Sequence, residues 1–446
     1  MKYNIPAGTE MNMKLLAKYI NKHKADVARR NKKLQDAYEN KYEIFLLPKK
    51  AAHKPDNRIA VNFAKYITDT NNGFQFGIPI KISAQSENVK RFVELLDKYN
   101  SMDIVNAELG KIADIHGSAH EMYFVDPAGE IGITYLSPME SFFLCDDSIL
   151  ERPMYFVRYY RDSENVERGS YSDSDRVYHF YNKGGYKLED VEGEIHGFGH
   201  VPAVEYLANE EGIGIFEGAM SMINAYNKAI SEKANDVDYF ADAYLKVLGA
   251  KVKDADKTTI RDDRLINFTG DGERPEVDFI AKPNADETQE HLIERLERLI
   301  FQMSMVANVG DENFGTSSGI ALRYKLLAMS NLFKTKERQF AAAMNLRYKT
   351  IFSNPVAKMR ANDWLELSYT FTANYPKNVD EEADTAKKLD GVVSRETQLK
   401  VLSIVEDVQA EVNKIKEDEA ATANEIVEKM YERAATDTAG DSGTEE

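Results

Sequence analysis

The pattern of apolar residues predicts an α+β protein of several parts, and three observations carry that prediction. After a mostly helical N-terminal stretch, residues 119–207 turn to short, alternating, strand-like runs. Two long helical stretches follow, and a short insert with strand texture lies between them. The chain has 446 residues, which at ~150 residues per domain allows two to four domains with a sizeable core. Apolar residues make up 43% and charged residues 29%, an ordinary globular composition and too apolar for disorder throughout.

Taken in order, residues 9–50 read as helical, with Leu15, Leu16, Tyr19 and Ile20 forming an apolar stripe. From Asn57 to Thr70, Ile59, Phe63, Tyr66 and Ile67 share a helix face. Asn71-Asn72-Gly73 then reads as a turn, and FQFGIPIKI as a strand. Helices are expected at about 86–99 and 102–116. The strand-like runs are EMYFVD, GEIGITYL, ESFFLC, MYFVRYYR, RVYHFYN and VPAVEYL, punctuated by Gly, Pro, Asp and Ser at hairpin-like spacing.

Ile215 to Gly249 contains no proline. Ile223, Tyr226, Ile230, Ala234, Val237, Ala241, Tyr244 and Leu248 step by three or four residues, which predicts one rod of roughly 50 Å ending at a Gly249 cap. The insert 250–283 includes RLINFTGDGERPEVDFI, two strands around a glycine-bearing turn. A second long helix is expected from about Ala285 to Val306, with Leu292, Leu296, Leu299, Met303 and Val306 on a 4-3-4-3 spacing. A polar loop follows at 308–316. Ser317 or Ser318 is placed to cap a third long helix reaching Phe352, ahead of Pro355. WLELSYTFTANYP returns to strand, and helices are expected at about 379–390, 395–402 and 405–434. The last residues, AGDSGTEE, read as a disordered tail.

Charge is segregated. The net charge is −17, yet residues 1–54 carry thirteen Lys/Arg against five Asp/Glu, and residues 320–360 carry nine against one. Residues 406–446 carry thirteen acids against four bases. Basic segments can meet phosphates or acidic protein surfaces, and they are equally what solvated helix faces look like. No run approaches the ~18 apolar residues of a membrane-spanning helix. The opening MKYNIPAGTEMNMK has no apolar stretch of the kind a secretory signal needs, so export is not expected. A single cysteine, Cys145, excludes an internal disulfide framework and a Cys-rich zinc site.

Catalytic signatures are missing. There is no Walker-type phosphate loop, no G-x-G-x-x-G after a strand, no G-x-S-x-G and no H-E-x-x-H. The pairs His116/His120 and His196/His200 have a spacing that can share a metal on a helix. However, His120 leads into a strand, His196-Gly-Phe-Gly-His200 is too glycine-rich for a helix, and neither pair has an obvious third ligand. Cys145 reads as buried filler. The acidic pairs Asp146/Asp147 and Asp262/Asp263 could hold a cation, although lone acidic pairs are common in turns.

Five passages carry a family resemblance when taken in order: NRIAVNFAKYITDTNNGFQFGIPIKI at 57–82, IHGSAHEMYFVD at 115–126, LSPMESFFLCDD at 136–147, the GHVPAVEYLANEEGIGIFEGAM to VLG passage at 199–249, and FGTSSGIALRYKLLAMS at 314–330. Over roughly residues 30–420 the chain resembles the portal (connector) proteins of tailed double-stranded-DNA bacteriophages, in the family typical of long-tailed phages of Gram-positive hosts. One departure is that the family's usual Gly-x-Ala-Tyr-Glu reads Gly117-Ser118-Ala119-His120-Glu121 here.

The resemblance implies a non-enzymatic ring, usually a dodecamer in the virion, with no cofactor or metal. It maps a wing onto 1–213 with a return strand at 355–376, stem helices onto 214–249 and 285–307, and a clip onto 250–284. A tunnel loop and helix fall at 308–354, an α-helical crown at 377–435 and a disordered tail at 436–446. Partners implied are further copies of the chain, double-stranded DNA sliding through without sequence specificity, the terminase large subunit, scaffolding and major capsid proteins, and the head–tail adaptor. No membrane is involved; assembly is expected in the host cytoplasm and residence at the capsid vertex.

The tunnel-loop candidates are Asp311, Glu312, Asn313, Phe314, Thr316 and Ser317. Arg261, Asp262, Asp263 and Arg264 are candidates for binding motor and adaptor. Glu232, Asp236, Asp238 and Asp242 are candidates for an acidic lining, because affinity grows with each phosphate neutralised and a sliding channel needs weak grip. Lys334, Lys336 and Arg338 are candidates for pairing with a neighbouring subunit or touching DNA. Long paired helices with little shared core would also bury their stripes better against ring neighbours. The competing readings are a metal-dependent nuclease using His116/His120 or an acidic pair, and a monomeric nucleic-acid-binding head protein using the basic segments. A charge of −17 and the absence of a nucleic-acid-binding module weigh against the latter.

Overall fold

The computed structural model describes residues 1–51, 54–241, 245–248, 265–268, 276–279, 286–310, 319–375, 379–402, 404–405 and 408–420. The chain divides into two compact units, Met1–Gly315 with Tyr324–Asn374, and Thr316–Arg323 with Tyr375–Glu446. It is mixed α and β, as the sequence predicts.

In the larger unit, β1 (Lys2–Ile5) precedes α1 (Met13–Arg29). The Asn12 side chain caps α1 by accepting the Leu15 N–H at 2.9 Å. The helical run expected over 9–50 is in fact two helices and a 3-10 turn. Arg30, at φ −121° and ψ −66°, breaks the run before α2 (Asn31–Tyr38). Its guanidinium reaches both carboxylate oxygens of Glu217, at 2.7 and 2.6 Å. The 3-10 turn is Glu43–Leu46.

α3 spans Phe63–Phe76 rather than the expected 57–70, and the Asn-Asn-Gly read as a turn lies inside it. Tertiary contacts override turn propensity there: buried Asn71 donates to Asp114 at 2.9 Å, and Gln75 donates to Asn71 at 3.2 Å. Of FQFGIPIKI only the end is strand, in β2 (Lys81–Ser83). Next come α4 (Glu87–Asn100), α5 (Met102–His116), β3 (Ser118–Val125), β4 (Ile131–Leu136), β5 (Ser141–Asp146), β6 (Pro153–Arg161), β7 (Glu167–Ser172), β8 (Arg176–Asn182), β9 (Tyr186–Leu188), β10 (Glu194–Ile195) and β11 (Ala203–Leu207). Between α5 and β3, Gly117 sits at φ +86°, where a Cβ would lie 1.9 Å from the Gly212 carbonyl oxygen, so only glycine fits.

These elements stack in layers. One sheet runs β1-β5-β6-β7-β8-β10, with β9 beside β8, and β1 joins β5 in parallel. Alternation along β5 sends Phe142 and Leu144 toward Leu16, Tyr19 and Ile20 of α1. It sends Phe143 and Cys145 to the opposite face, against Val201, Ala203 and Met122. The second sheet, β11-β3-β4, is covered in turn by apolar residues of α4 and α5 and by α9 (Leu327–Phe352).

Two long helices follow in the same unit, α6 (Met220–Ala241) and α7 (Asp286–Ser304). The first was expected to reach Gly249, but residues 245–248 form β12 (Leu245–Leu248). Three- and four-residue spacing and strict alternation coincide over so short a run, and pairing decides between them. β13 (Leu265–Phe268) and β14 (Glu276–Phe279) are the two strands expected in the insert, yet they do not pair with each other. β12 lies between them, parallel to β13 and antiparallel to β14. The third long helix is split at Leu326 into α8 (Gly319–Lys325) and α9. The return strand is reduced to β15 (Ser368–Thr370), paired with β2.

In the smaller unit, α10 (Val379–Lys388) and α11 (Arg395–Leu399) precede a helix at 408–420. The Gln398 amide donates to the Ala386 carbonyl at 2.8 Å and joins the first two.

Candidate functional site

Three of the acids singled out from sequence, Glu232, Asp236 and Asp238, lie on α6, and their surroundings decide which surface each presents. Residues 57–61 lie extended and antiparallel along α6. The N–H groups of Asn57, Ile59 and Val61 donate to Asn235 Oδ1 at 2.6 Å, Ser231 Oγ at 2.9 Å and Asn227 Oδ1 at 2.9 Å. The match is geometric: alternate residues of an extended chain are ~6.6 Å apart, and positions i and i+4 of a helix ~6 Å. The three polar side chains on one helix face therefore satisfy every second amide of this strap.

The strap also engages the acids proposed as a lining. Lys50 Nζ sits 2.9 Å from both Glu232 oxygens and holds that carboxyl below its ordinary range. Asn57 donates its side-chain amide to Asp238. Asp236 accepts from Gln289 of α7 at 3.1 Å, and Lys233 pairs with Glu290. Asp242 lies outside the described residues, as do Asp311, Glu312, Asn313, Phe314, Thr316 and Ser317, and also Arg261, Asp262, Asp263 and Arg264.

α7 packs on α6 through Ile293 and Ile300, both buried, while Phe301 meets the rings of Phe63 and Tyr66 at 5.7 Å. The predicted leucine stripe is a different face. Leu292 and Met303 are 51% and 56% exposed, and Leu296 and Leu299 are half-buried; only Val306 at its end is closed over.

Of the tunnel-helix bases, Lys334 and Arg338 are exposed, and Lys334 pairs with Glu337 at 2.7 Å. Lys336 points the other way. It is 3% exposed, its Nζ 2.7 Å from Asp114 Oδ1 and 2.8 Å from the Gly110 carbonyl. Burial lowers its pKa, and Asp114 opposes that shift. About three turns further along α9, Arg347 forms a second buried pair. Its Nε and Nη2 lie 2.9 and 2.8 Å from Glu121, and Nη2 also donates to Asn106 at 2.8 Å. The hydroxyls of Tyr123 and Tyr206 donate to the same carboxylate at 2.7 and 3.0 Å. Burial opposes the Arg347 charge, but Glu121 more than offsets it and keeps the guanidinium protonated. Sequence reasoning missed both pairs, although Glu121 closes the Gly-Ser-Ala-His-Glu motif on an otherwise apolar strand.

The histidine pairs do not converge. His116 Nε2 lies 3.1 Å from Gln35, His120 Nδ1 2.7 Å from the Ser141 hydroxyl, and His196 Nε2 3.1 Å from the Asp173 carbonyl. Among the described residues no group of three or more His, Cys, Asp or Glu side chains is placed to hold a metal ion, and no helix is long and apolar enough to cross a membrane.

The larger unit thus combines two layered sheets with their covering helices, the packed pair α6 and α7, and the long helix α9 tied into the core by two buried ion pairs. The chain belongs to the family "Phage portal protein, SPP1 Gp6-like", whose model matches residues 16–425. It is similar to the portal protein of Bacillus phage SPP1, 22% identical over 420 residues, covering 88% of this chain and 81% of that one. It is also similar to the portal protein of Clostridium phage phiCD119, 23% identical over 424 residues, covering 86% and 92% respectively.

Proposed function

We propose that this chain is the protomer of a closed homo-oligomeric ring, a dodecamer in the virion, set at one vertex of a phage capsid. The ring is the channel for DNA entry and exit, the platform for the terminase large subunit during packaging, and later for the head–tail adaptor. Scaffolding and major capsid proteins surround it, and it performs no catalysis itself. One observation within the chain supports the ring: the leucine stripe of α7 is exposed at Leu292 and Met303 and only half-covered at Leu296 and Leu299. A coiled-coil-like spacing that the described residues leave partly uncovered suits a helix-sized partner surface, and in this reading the partner is a second copy of the chain.

Within this reading α6 and α7 are the stem and β12–β14 belong to the clip, whose outer residues Arg261, Asp262, Asp263 and Arg264 meet motor and adaptor. Asp311, Glu312, Asn313, Phe314, Thr316 and Ser317 form the tunnel loop facing DNA, with Lys334 and Arg338 at the exposed side of the helix behind it. Glu232 and Asp238 face the strap, so the lining role falls to Asp242 and to acids beyond the strap's reach. Electron microscopy of the purified protein, viewed down the particle axis, tests this. The wild type is expected as rings with a central hole, and Leu299→Glu as smaller species. A wild type that stays monomeric at micromolar concentration overturns the reading.

A further inference from the structure

We infer that the solvent face of α1 is a second contact surface for double-stranded DNA, separate from the channel proposed above. The inference rests on the reading of this chain as a protein that handles DNA, and it adds a site to that reading. On a helix of 3.6 residues per turn, Lys14, Lys18, Lys22 and Arg29 fall within an arc of about 80°, and all four are exposed. The only other residue of α1 in that arc is Ala25, also exposed. The buried face, Leu16, Tyr19, Ile20, His23 and Val27, is centred about 150° away. α1 thus turns an apolar side to the core and a basic side to solvent.

Neighbouring bases are neutralised and these four are not. Lys24 pairs with Glu167, Arg30 with Glu217 and Lys32 with Asp36. Among the described residues Lys14, Lys18, Lys22 and Arg29 make no ion pair; Lys18 and Lys22 only lie over the Tyr19 and Tyr3 rings, at 5.3 and 4.7 Å. Of the nearby acids, Glu10 precedes the helix, and Asp26 lies beyond the edge of the arc and accepts the Tyr3 hydroxyl at 2.9 Å. The first turn of α1 carries no acid, although the helix dipole favours one there, and Lys14 takes such a position instead. That placement costs helix stability and adds to the positive end of the dipole. The face therefore keeps a charge that folding alone does not require.

Chemistry chooses the occupant. The four charges run over about 22 Å of helix axis, a length along which a DNA duplex presents about 13 phosphates. A protein partner needs an apolar or aromatic anchor at the centre of its contact, and Lys is depleted from such interfaces. This arc offers no anchor, only Ala25 among mobile charges. Lys binds phosphate as a point charge, and a phosphate backbone is an even line of charge that positions a protein without reading sequence. Repeated in every copy of a ring, the face would hold a duplex with no sequence preference.

Covalently closed circular DNA tests this, because a closed circle cannot thread a channel. Wild-type protein, checked for rings by electron microscopy, should retain relaxed plasmid circles, with affinity falling about a hundredfold or more between about 50 and 200 mM salt, as four neutralised phosphates require. Lys14→Gln/Lys18→Gln/Lys22→Gln should cut retention roughly tenfold and flatten the salt dependence. Arg91→Gln/Lys98→Gln/Lys183→Gln removes three exposed bases elsewhere and should change retention by less than about twofold, which separates a local site from net charge. Should the α1 variant lose its rings, Lys14→Gln alone should still lower the salt slope by about one phosphate. Rings that bind linear DNA but not circles, or an α1 variant that retains circles as the wild type does, would overturn the second site and leave the channel standing. Polyglutamate that displaces the circles at equal charge would assign the face to an acidic protein and overturn the duplex. A wild type without rings overturns the ring instead, and the same variants then judge the α1 site on the separate chains.

Discussion

Arg347 and Glu121 meet with neither side chain exposed to solvent, and the pair ties α9 to β3 beneath the apolar core. A buried pair adds little over an apolar replacement, because desolvation opposes the Coulomb gain, but removing one partner strands the other charge. Arg347→Met is therefore expected to destabilise by ~3–5 kcal/mol, with Tyr123 and Tyr206 left donating to an uncompensated carboxylate. Trp364, the single tryptophan, packs against the same core and reports it. The urea midpoint of its fluorescence should fall sharply for Arg347→Met and recover partly in Arg347→Met/Glu121→Gln. A single-variant loss under ~1 kcal/mol would show that the pair does not hold α9. Lys336 was legible in the sequence. Phe333, Lys336, Phe340, Met344 and Arg347 step by three or four, so both charges belong to the apolar face, whereas Lys334 and Arg338 fall on the other side. Grouping 334, 336 and 338 by composition hid that period.

Among the elements, strand texture located six of the nine strands from β3 to β11, because those residues alternate against a core that is itself strand and helix, and it passed over β7 (Glu167–Ser172) and the short β9 and β10. What was not legible is where one element supplies the backbone partners of another. Residues 57–62 read as helix from Ile59, Phe63, Tyr66 and Ile67, but their amides are claimed by α6. The sign was on α6: Asn227, Ser231 and Asn235, polar at four-residue steps beside an apolar stripe, mark a face that bonds something. Ser231→Ala leaves the Ile59 N–H without its acceptor. The net worth of such a bond is about 1 kcal/mol, so hydrogen exchange at Ile59 and Val61 should quicken by roughly three- to tenfold, while amides inside α5 keep their rates. Unchanged exchange at Ile59 would mean that packing of the strap, not the ladder, protects it.

At the scale of the molecule, the portal family was legible because order and spacing of whole passages outlast individual residues, whereas the surface a ring would use depends on faces that only the packed protomer exposes. Its response to acid is likewise a sum over distant sites. Burial holds His23 of α1 down at about 3, and His116 of α5 and His120 of β3 at about 4, against about 6.5 for histidine in an unfolded chain. Between these values the unfolded chain binds more protons than the folded one, so each histidine removes about 1.4 kcal/mol per pH unit as pH falls below 6.5. Asp97 works in the other direction. Burial lifts its carboxyl to about 6, so the folded state takes up that proton first and gains stability as pH drops from about 6 toward ~4. Three histidines against one carboxyl leave a net loss on the order of 2–3 kcal/mol per unit between pH 6 and 5. The Trp364 unfolding midpoint should fall steadily between pH 6.5 and pH 5. His116→Gln, which can still donate toward Gln35, should reduce that slope by about one histidine's share. A midpoint that stays level down to pH 5 would mean that these imidazoles take up protons in the fold, and that the burial around α1, α5 and β3 is looser than the layered wing requires.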